Sequence, residues 1–226
     1  QEGKNFLDNQ MGRALIELSY LATKNNVELF AISSKRFHLI SSAIERLALI
    51  EHSDYFEMGE HLDNRSPLNP FMRVFITIAL NGQEAFSSTS SPAAASGLMQ
   101  FTNKSFRRKP GTWDLMRNGN RWSNLPPFAT GVRSHTESMK AAILLQNHNL
   151  EMLAKTLGQE ILEDSNLELY LAAMYNGGPG PVIESIRRAH QKETDWRQEL
   201  RKLKKTNESL EYLKKLDYLL KLTPSQ

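Results

Sequence analysis

Apolar residues recur at helical spacing along most of this chain. Met11, Leu15, Leu18 and Leu21-Ala22 share one face, and Leu39-Ile40, Ile44, Leu47-Ala48 and Ile50 share another. Scaffold helices are predicted over residues 1–60, with no alternating strand pattern in competition. Asp63-Asn64-Arg65-Ser66-Pro67-Leu68-Asn69-Pro70 reads as a turn, because two prolines among Asn, Asp and Ser disfavour helix and Pro70 can only open a new one. Phe71, Val74-Phe75, Ile78 and Ala79 then trace a buried stripe, which predicts a core helix from Phe71 to about Glu84.

Residues 87–97 are mostly Ser, Thr, Pro and Ala, too poor in large apolar groups for a core element. They are short and lead straight into Leu98-Met99-Gln100-Phe101, so a structured loop is expected, with Thr102 to Phe106 starting a short helix. Trp113 to Thr130, holding Trp122, Leu125, Pro126-Pro127 and Phe128, reads as irregular; its aromatics suit either stacking on sugar rings or anchoring the core. Another helix follows through Met139, Ala142-Ile143, Leu145 and Leu150, with Thr136 as its cap. Leu167 to Tyr175 forms the next buried helix, closed at Asn176-Gly177-Gly178-Pro179-Gly180-Pro181, where glycine permits positive φ and proline forbids continuation. The charged tail carries Trp196, Leu200, Leu203, Leu210, Leu213, Leu216 and Leu220 near helical spacing, predicting one or two docked helices, with a coiled-coil partner helix as the sharper alternative.

Composition narrows the chemistry. The 226 residues are 40% hydrophobic and 23% charged, an ordinary globular balance, with no apolar run long enough to span a bilayer. Zero cysteines exclude disulfides, thiolate metal sites and cysteine nucleophiles. His38, His52 and His61 have no ligand-like spacing, so neither metal nor cofactor is expected. His135 and His148 lack a surrounding nucleophile pattern and read as packing or surface residues. A net charge of +3 and a pI near 9.0 say little about partners. The basic cluster Arg107-Arg108-Lys109-Pro110 stands alone without a nucleic-acid motif and reads as solvated surface. Glu137 before a helix suits the macrodipole, and Asp114 lies beside Trp113.

Glu84 is the residue with the chemistry of a general acid: a carboxyl at the end of an apolar helix, where desolvation favours its protonated form. The segment Ile76 to Phe86, then Ser91-Pro92-Ala93-Ala94-Ala95-Ser96-Gly97-Leu98-Met99-Gln100, then Ala172 to Val182 with Tyr175-Asn176-Gly177-Gly178-Pro179-Gly180, resembles in composition and order the soluble lytic transglycosylases, relatives of goose-type lysozyme. The resemblance covers roughly residues 66–190. It implies a mostly α, lysozyme-like catalytic domain there, with a helical region at 1–65 and a charged helical extension at 191–226.

The resemblance also implies a function: cleavage of the β-1,4 bond between N-acetylmuramic acid and N-acetylglucosamine in peptidoglycan glycan strands by one glutamate, giving a 1,6-anhydro product, or a reducing end if water attacks as in a muramidase. One carboxylate suffices when the substrate supplies its own nucleophile. Ser96, Gly97, Leu98, Met99, Gln100 and Asn176 would line the sugar cleft, and Tyr175 would orient the acid. The substrate implies an exported, periplasmic or envelope location; a chain that starts at Gln1 is compatible with a removed signal.

Two registers stay open. Counting along the apolar helix makes Glu84 the acid; counting back from Phe86 puts Gln83 there, which would leave a glycan-binding protein without catalysis. Ala85 or Glu84 then replaces the family's usual serine, and Ala94 stands near its usual loop glycine. A helical interaction protein acting through residues 193–222 is a third possibility from a different class.

Overall fold

Helix α1 (Glu2–Lys24) forms as its stripe predicts, burying Leu7, Met11, Ala14, Leu15, Leu18 and Ala22, while Ile16 and Tyr20 remain exposed on another face. The computed structural model describes residues 1–32, 36–53, 69–91, 94–103, 110–203 and 206–222. The predicted turn over 63–68, His61, Pro92-Ala93, Lys104-Ser105-Phe106 and the basic cluster at 107–109 lie outside the described residues. The chain is mostly helical and divides into two compact units, Gln1–Leu145 and Gln146–Gln226. That division falls inside one helix, His135–Leu157.

In the first unit, α2 (Phe37–Glu51) buries Ile40, Ile44, Leu47, Ala48 and Ile50. Helix α3 (Pro70–Asn81) opens with proline at its first position and the Asn69 side chain accepting the Phe71 N–H at 2.9 Å, both standard solutions for unpaired N-terminal donors. It buries Phe71, Val74 and Ile78 and crosses α1 so closely that a β-carbon on Gly3 would sit 2.0 Å from the Phe75 carbonyl oxygen. The helix predicted to continue to Glu84 stops at Asn81. Gly82 adopts φ +51°, outside the helical region, and a tighter 3-10 turn, Gly82–Glu84, follows.

The described parts of the serine-rich segment, 87–91 and 94–97, form turns and a short strand, and Thr102 is not helical. Strands β1 (Ala95–Ser96) and β2 (Phe101–Thr102) pair antiparallel, Ala95 opposite Thr102 and Ser96 opposite Phe101. Positive φ at Gly97 (+78°) and Gln100 (+46°) reverses the chain between them and drives Leu98 and Met99 into the core. The segment expected to be irregular also holds order: α4 (Thr112–Gly119), a 3-10 turn at Arg121–Ser123, and α5 (Phe128–Gly131). Trp113 organises it, fully buried, its Nε1–H donating to the Pro126 carbonyl at 3.0 Å. Of the two roles open to these aromatics, Trp113 takes core anchoring. Helix α6 (His135–Leu157) is capped by Ser134, whose Oγ accepts the Glu137 N–H at 3.3 Å, and not by Thr136, whose hydroxyl donates to Gln10 Oε1.

In the second unit, α7 (Leu167–Gly177) packs on α8 (Pro179–Lys192) and on α10 (Asn207–Leu222), while α9 (Trp196–Arg201) packs on α8. The tail stripe is spent inside this unit: Trp196 meets Tyr170 edge-on at 4.9 Å, and Leu200, Leu213 and Leu216 are buried. Glu199 is fully buried between Lys192 at 3.0 Å and Lys202 at 2.6 Å, and the two ammonium groups hold its carboxyl down to about 2. Arg197 grips Asp217 with two hydrogen bonds of 2.7 and 2.9 Å.

Candidate functional site

Gln83 and Glu84 leave the 3-10 turn in different directions. Both side chains are exposed. The Gln83 amide donates to the Arg133 carbonyl at 3.4 Å and borders an open groove of about 680 Å³ along α1. Glu84 lies on the loop side, where the Ser87 hydroxyl reaches its backbone carbonyl at 3.0 Å and its carboxylate at 3.4 Å.

The loop folds from there onto the Ser96–Gln100 segment. The Gly97 N–H donates to the Thr89 carbonyl at 3.2 Å; the Gln100 amide donates to Thr89 Oγ1 at 3.3 Å and to the Gly97 carbonyl at 2.9 Å; Ser90 bridges to Ser96. Gly97 is irreplaceable on two counts, since its φ is +78° and a β-carbon would meet the Val132 carbonyl oxygen at 2.1 Å. Phe86 (φ +59°) and Gln100 (φ +46°) hold the left-handed conformation without being glycine. Such strain costs of order 1–3 kcal/mol per residue and persists only where surrounding contacts enforce it.

Two histidines supply those contacts. His52 stacks on the Phe86 ring, centroids 3.8 Å apart, while its Nε2–H donates to the Leu98 carbonyl at 2.9 Å, so one imidazole joins the acid-bearing turn to the Gly-Leu-Met-Gln turn. Burial lowers its pKa to about 4 against the opposing pull of the Leu98 and Gly97 backbone bonds, and the ring is neutral at pH 7. His135, fully buried, donates from Nε2 to the Ala85 carbonyl at 2.6 Å and packs edge-on against Phe6. Burial lowers its pKa too, opposed by the Ala85 bond and by the negative charge of Glu84. Its Nδ1 is a buried acceptor with no partner among the described residues. These are the residues that sequence reasoning passed over: it assigned His135 to packing or surface and saw in His52 only a missing metal spacing. No local signal marks them, because each acts on a backbone carbonyl 46 or 50 residues away.

The expected site residues fall in both units. Gln83, Glu84, Ser96, Gly97, Leu98, Met99 and Gln100 belong to the first and are brought together there, with Leu98 and Met99 buried as support and Ser96 and Gln100 partly accessible. Tyr175 and Asn176 belong to the second. Tyr175 lies over Tyr212 of α10 with centroids 6.3 Å apart, and Asn176 is exposed at the end of α7. The glycines after them fit the expected tight turn: a β-carbon on Gly177 would meet Ser209 Oγ at 2.1 Å, and Gly178 has φ +77°. His148 is exposed. Glu137 pairs with Lys140 at 3.1 Å, a buried ammonium that also reaches Glu17 at 3.1 Å. Among the described residues no group of three or more His, Asp or Glu could hold a metal ion, and no helix is long and apolar enough to cross a membrane.

Compared with known proteins, the chain matches no family model, no curated protein and no solved structure.

Proposed function

We propose that this chain cleaves peptidoglycan glycan strands between N-acetylmuramic acid and N-acetylglucosamine, as a lytic transglycosylase with a lysozyme-like catalytic domain and added terminal helices. The observation that carries the proposal is the joining of two motifs far apart in sequence character: an accessible carboxylate at Glu84 and the Ser96–Gln100 turn, held together through Ser87, Thr89 and His52. A strained, over-determined backbone at Phe86 and Gln100 supports the same reading, since such strain concentrates where a site must be preorganised.

In this mechanism Glu84 protonates the glycosidic oxygen as the bond to the muramic anomeric carbon breaks. The resulting carboxylate then takes the proton of the muramic 6-hydroxyl as that oxygen attacks the same carbon. The acid is regenerated, no water is consumed, and the product ends in a 1,6-anhydro ring. Gln100 and Ser96 offer hydrogen bonds to sugar hydroxyls and acetamido groups. The substrate places the protein outside the cytoplasmic membrane. Attack by water in place of the 6-hydroxyl would make the enzyme a muramidase on the same residues.

The Gln83 register gives binding without cleavage, and the two registers separate in one experiment. Purified sacculi are incubated with the protein and with Glu84→Gln, and the released products are analysed by mass spectrometry. Anhydro ends that disappear in Glu84→Gln are expected. Reducing ends would move the assignment to a muramidase. No release by the natural chain, with release by Gln83→Glu, would make it a silenced glycan binder, and no release by either would sink the enzymatic reading.

A further inference from the structure

Each of the two clamping histidines spends one nitrogen on a main-chain carbonyl, and its other nitrogen decides what acid does to it. A carbonyl oxygen accepts and cannot donate, so Nε2 carries the proton in both rings and Nδ1 is the basic atom. At His135 that atom is buried with no partner among the described residues, in a residue shut off from solvent. A proton arriving there makes a charged N–H with neither acceptor nor water, a far costlier group than a neutral buried donor. The ring escapes that cost by turning out towards water, and the Ala85 carbonyl is then released.

His52 is bound to the next residue of the same turn. It caps the C-terminal end of α2, lies nearly flat on the Phe86 ring with 17° between the planes, and holds the Leu98 carbonyl at 2.9 Å. Phe86 keeps φ +59° without being glycine, a conformation that lasts only while neighbouring contacts enforce it. Two imidazoles thus grip consecutive residues, Ala85 and Phe86, directly after Glu84. Among the described residues the charges that act on them are Glu84 on His135 and, once protonated, His135 on His52; α1 turns the uncharged Phe6 towards His135, and the hairpin offers His52 backbone carbonyls. Two imidazolium rings here would repel each other as well as lack solvent.

From this geometry we infer that His52 and His135 form a proton-released latch: as neutral rings they are positioning residues that hold the Glu84–Phe86 turn against the Gly97–Gln100 turn, and as cations they let it go while the helices stay folded. Burial keeps both rings neutral at pH 7, His52 down to about 4. A released ring titrates near 6.5, so the latch is shut at neutral pH and weakens as pH falls from 6.5 towards 4. The Glu84 charge works against burial at His135, so the acid itself helps to set where release occurs. The inference rests on the proposed site and adds pH control of its assembly, but its test needs no substrate.

Hydrogen exchange of the full chain is followed by mass spectrometry from pH 7 to pH 4, corrected for the intrinsic pH dependence of exchange, with NMR titration of the imidazole carbons alongside. Protection of residues 84–91 and 94–101 is expected to fall by about tenfold or more at about pH 4.5, within what a ring with midpoints of 6.5 released and about 4 latched can supply, while α1, α7 and the circular dichroism hold. His52→Gln/His135→Gln, whose amides still donate to both carbonyls but gain no proton, should keep the two turns equally protected across the range. Glu84→Gln removes the charge that favours a proton on His135 and should move release to lower pH. If the double variant does not fold at pH 7, the natural chain decides: midpoints of both rings below those of the exposed His148 and His190, coinciding with the loss of protection, support the latch, and midpoints near 6.5 without that loss overturn it. Turns that ignore pH, that lose protection alike in the double variant, or that open only together with the helices would also overturn it. Sacculi cut by a chain without this release would leave the cleavage proposal standing and remove the latch; release in a chain that cuts nothing would keep the latch and remove the enzyme.

Discussion

Glu84 and Gln83 differ by one nitrogen-for-oxygen exchange and one position, and their surroundings differ. Glu84 meets Ser87 on the loop; Gln83 meets the α1 groove. Glu84→Gln is expected to lower release from sacculi by at least about 100-fold, the lower end of what general acid–base chemistry contributes, with glycan affinity retained. His135 acts on the same turn from behind. His135→Ala strands the Ala85 carbonyl and opens a cavity where a fully buried ring stood, so a loss of roughly 2–4 kcal/mol in urea unfolding is expected, with a fall in kcat larger than any change in KM. Unchanged kinetics in a folded His135→Ala chain would show that the histidine holds the fold without positioning the acid.

Among the elements, the short β1–β2 hairpin is the least tolerant of change. Gly97→Ala must push a methyl group into the Val132 carbonyl while keeping φ near +78°, a cost of about 2–4 kcal/mol measurable by thermal or urea melting, whereas the same change at Gly180, where a β-carbon would meet open space, should leave stability nearly unaltered. The long helices could be read from the chain because each buries a stripe of its own: Met11, Leu15 and Leu18 in α1, Ile40, Ile44 and Leu47 in α2. The end of α3 could not, because Gly82 breaks the helix through its φ while the apolar pattern carries past it. Strands of two residues have no periodicity to detect, and α4 buries only Trp113 and Met116, too few for a stripe. Ser134 takes the cap because the helix starts at His135, which puts Thr136 inside the first turn, where its hydroxyl donates to Gln10, 126 positions away. The motifs that compose the candidate site were readable in order and content; the histidines that clamp them were not, since contacts with distant carbonyls leave no mark on neighbouring residues.

At the scale of the whole molecule, buried ionisable groups set a pH profile with two opposing slopes. The unfolded chain protonates His52 near 6.5 while the fold resists until about 4, so that contribution is present above 6.5 and is lost as pH falls through this window. Glu45 runs the other way: burial, a hydrogen bond with Asp8 and the Asp8 charge raise its pKa from 4.5 to about 7, against the pull of Lys4 and Arg46. Its contribution is full below 4.5 and is lost as pH rises through 7. Glu199, held down to about 2, adds stability above 4.5 that disappears in stronger acid. The melting temperature is expected to rise only gently between pH 4.5 and 6.5, where the Glu45 slope opposes those of His52 and His135. In Glu45→Gln it should rise more steeply across that interval; a parallel profile for the two proteins would exclude Glu45 as the source of the opposing slope. The left-handed step at Gly82 has a consequence of another kind. A 3-10 turn sets neighbouring side chains about 120° apart, so the acid's address cannot slide by one residue. On the proposed mechanism a single mutation at Glu84 silences the protein, and moving the glutamate next door does not revive it. On that mechanism a chain that lost this glutamate regains catalysis only by reversion at position 84 and otherwise keeps only what it can still hold.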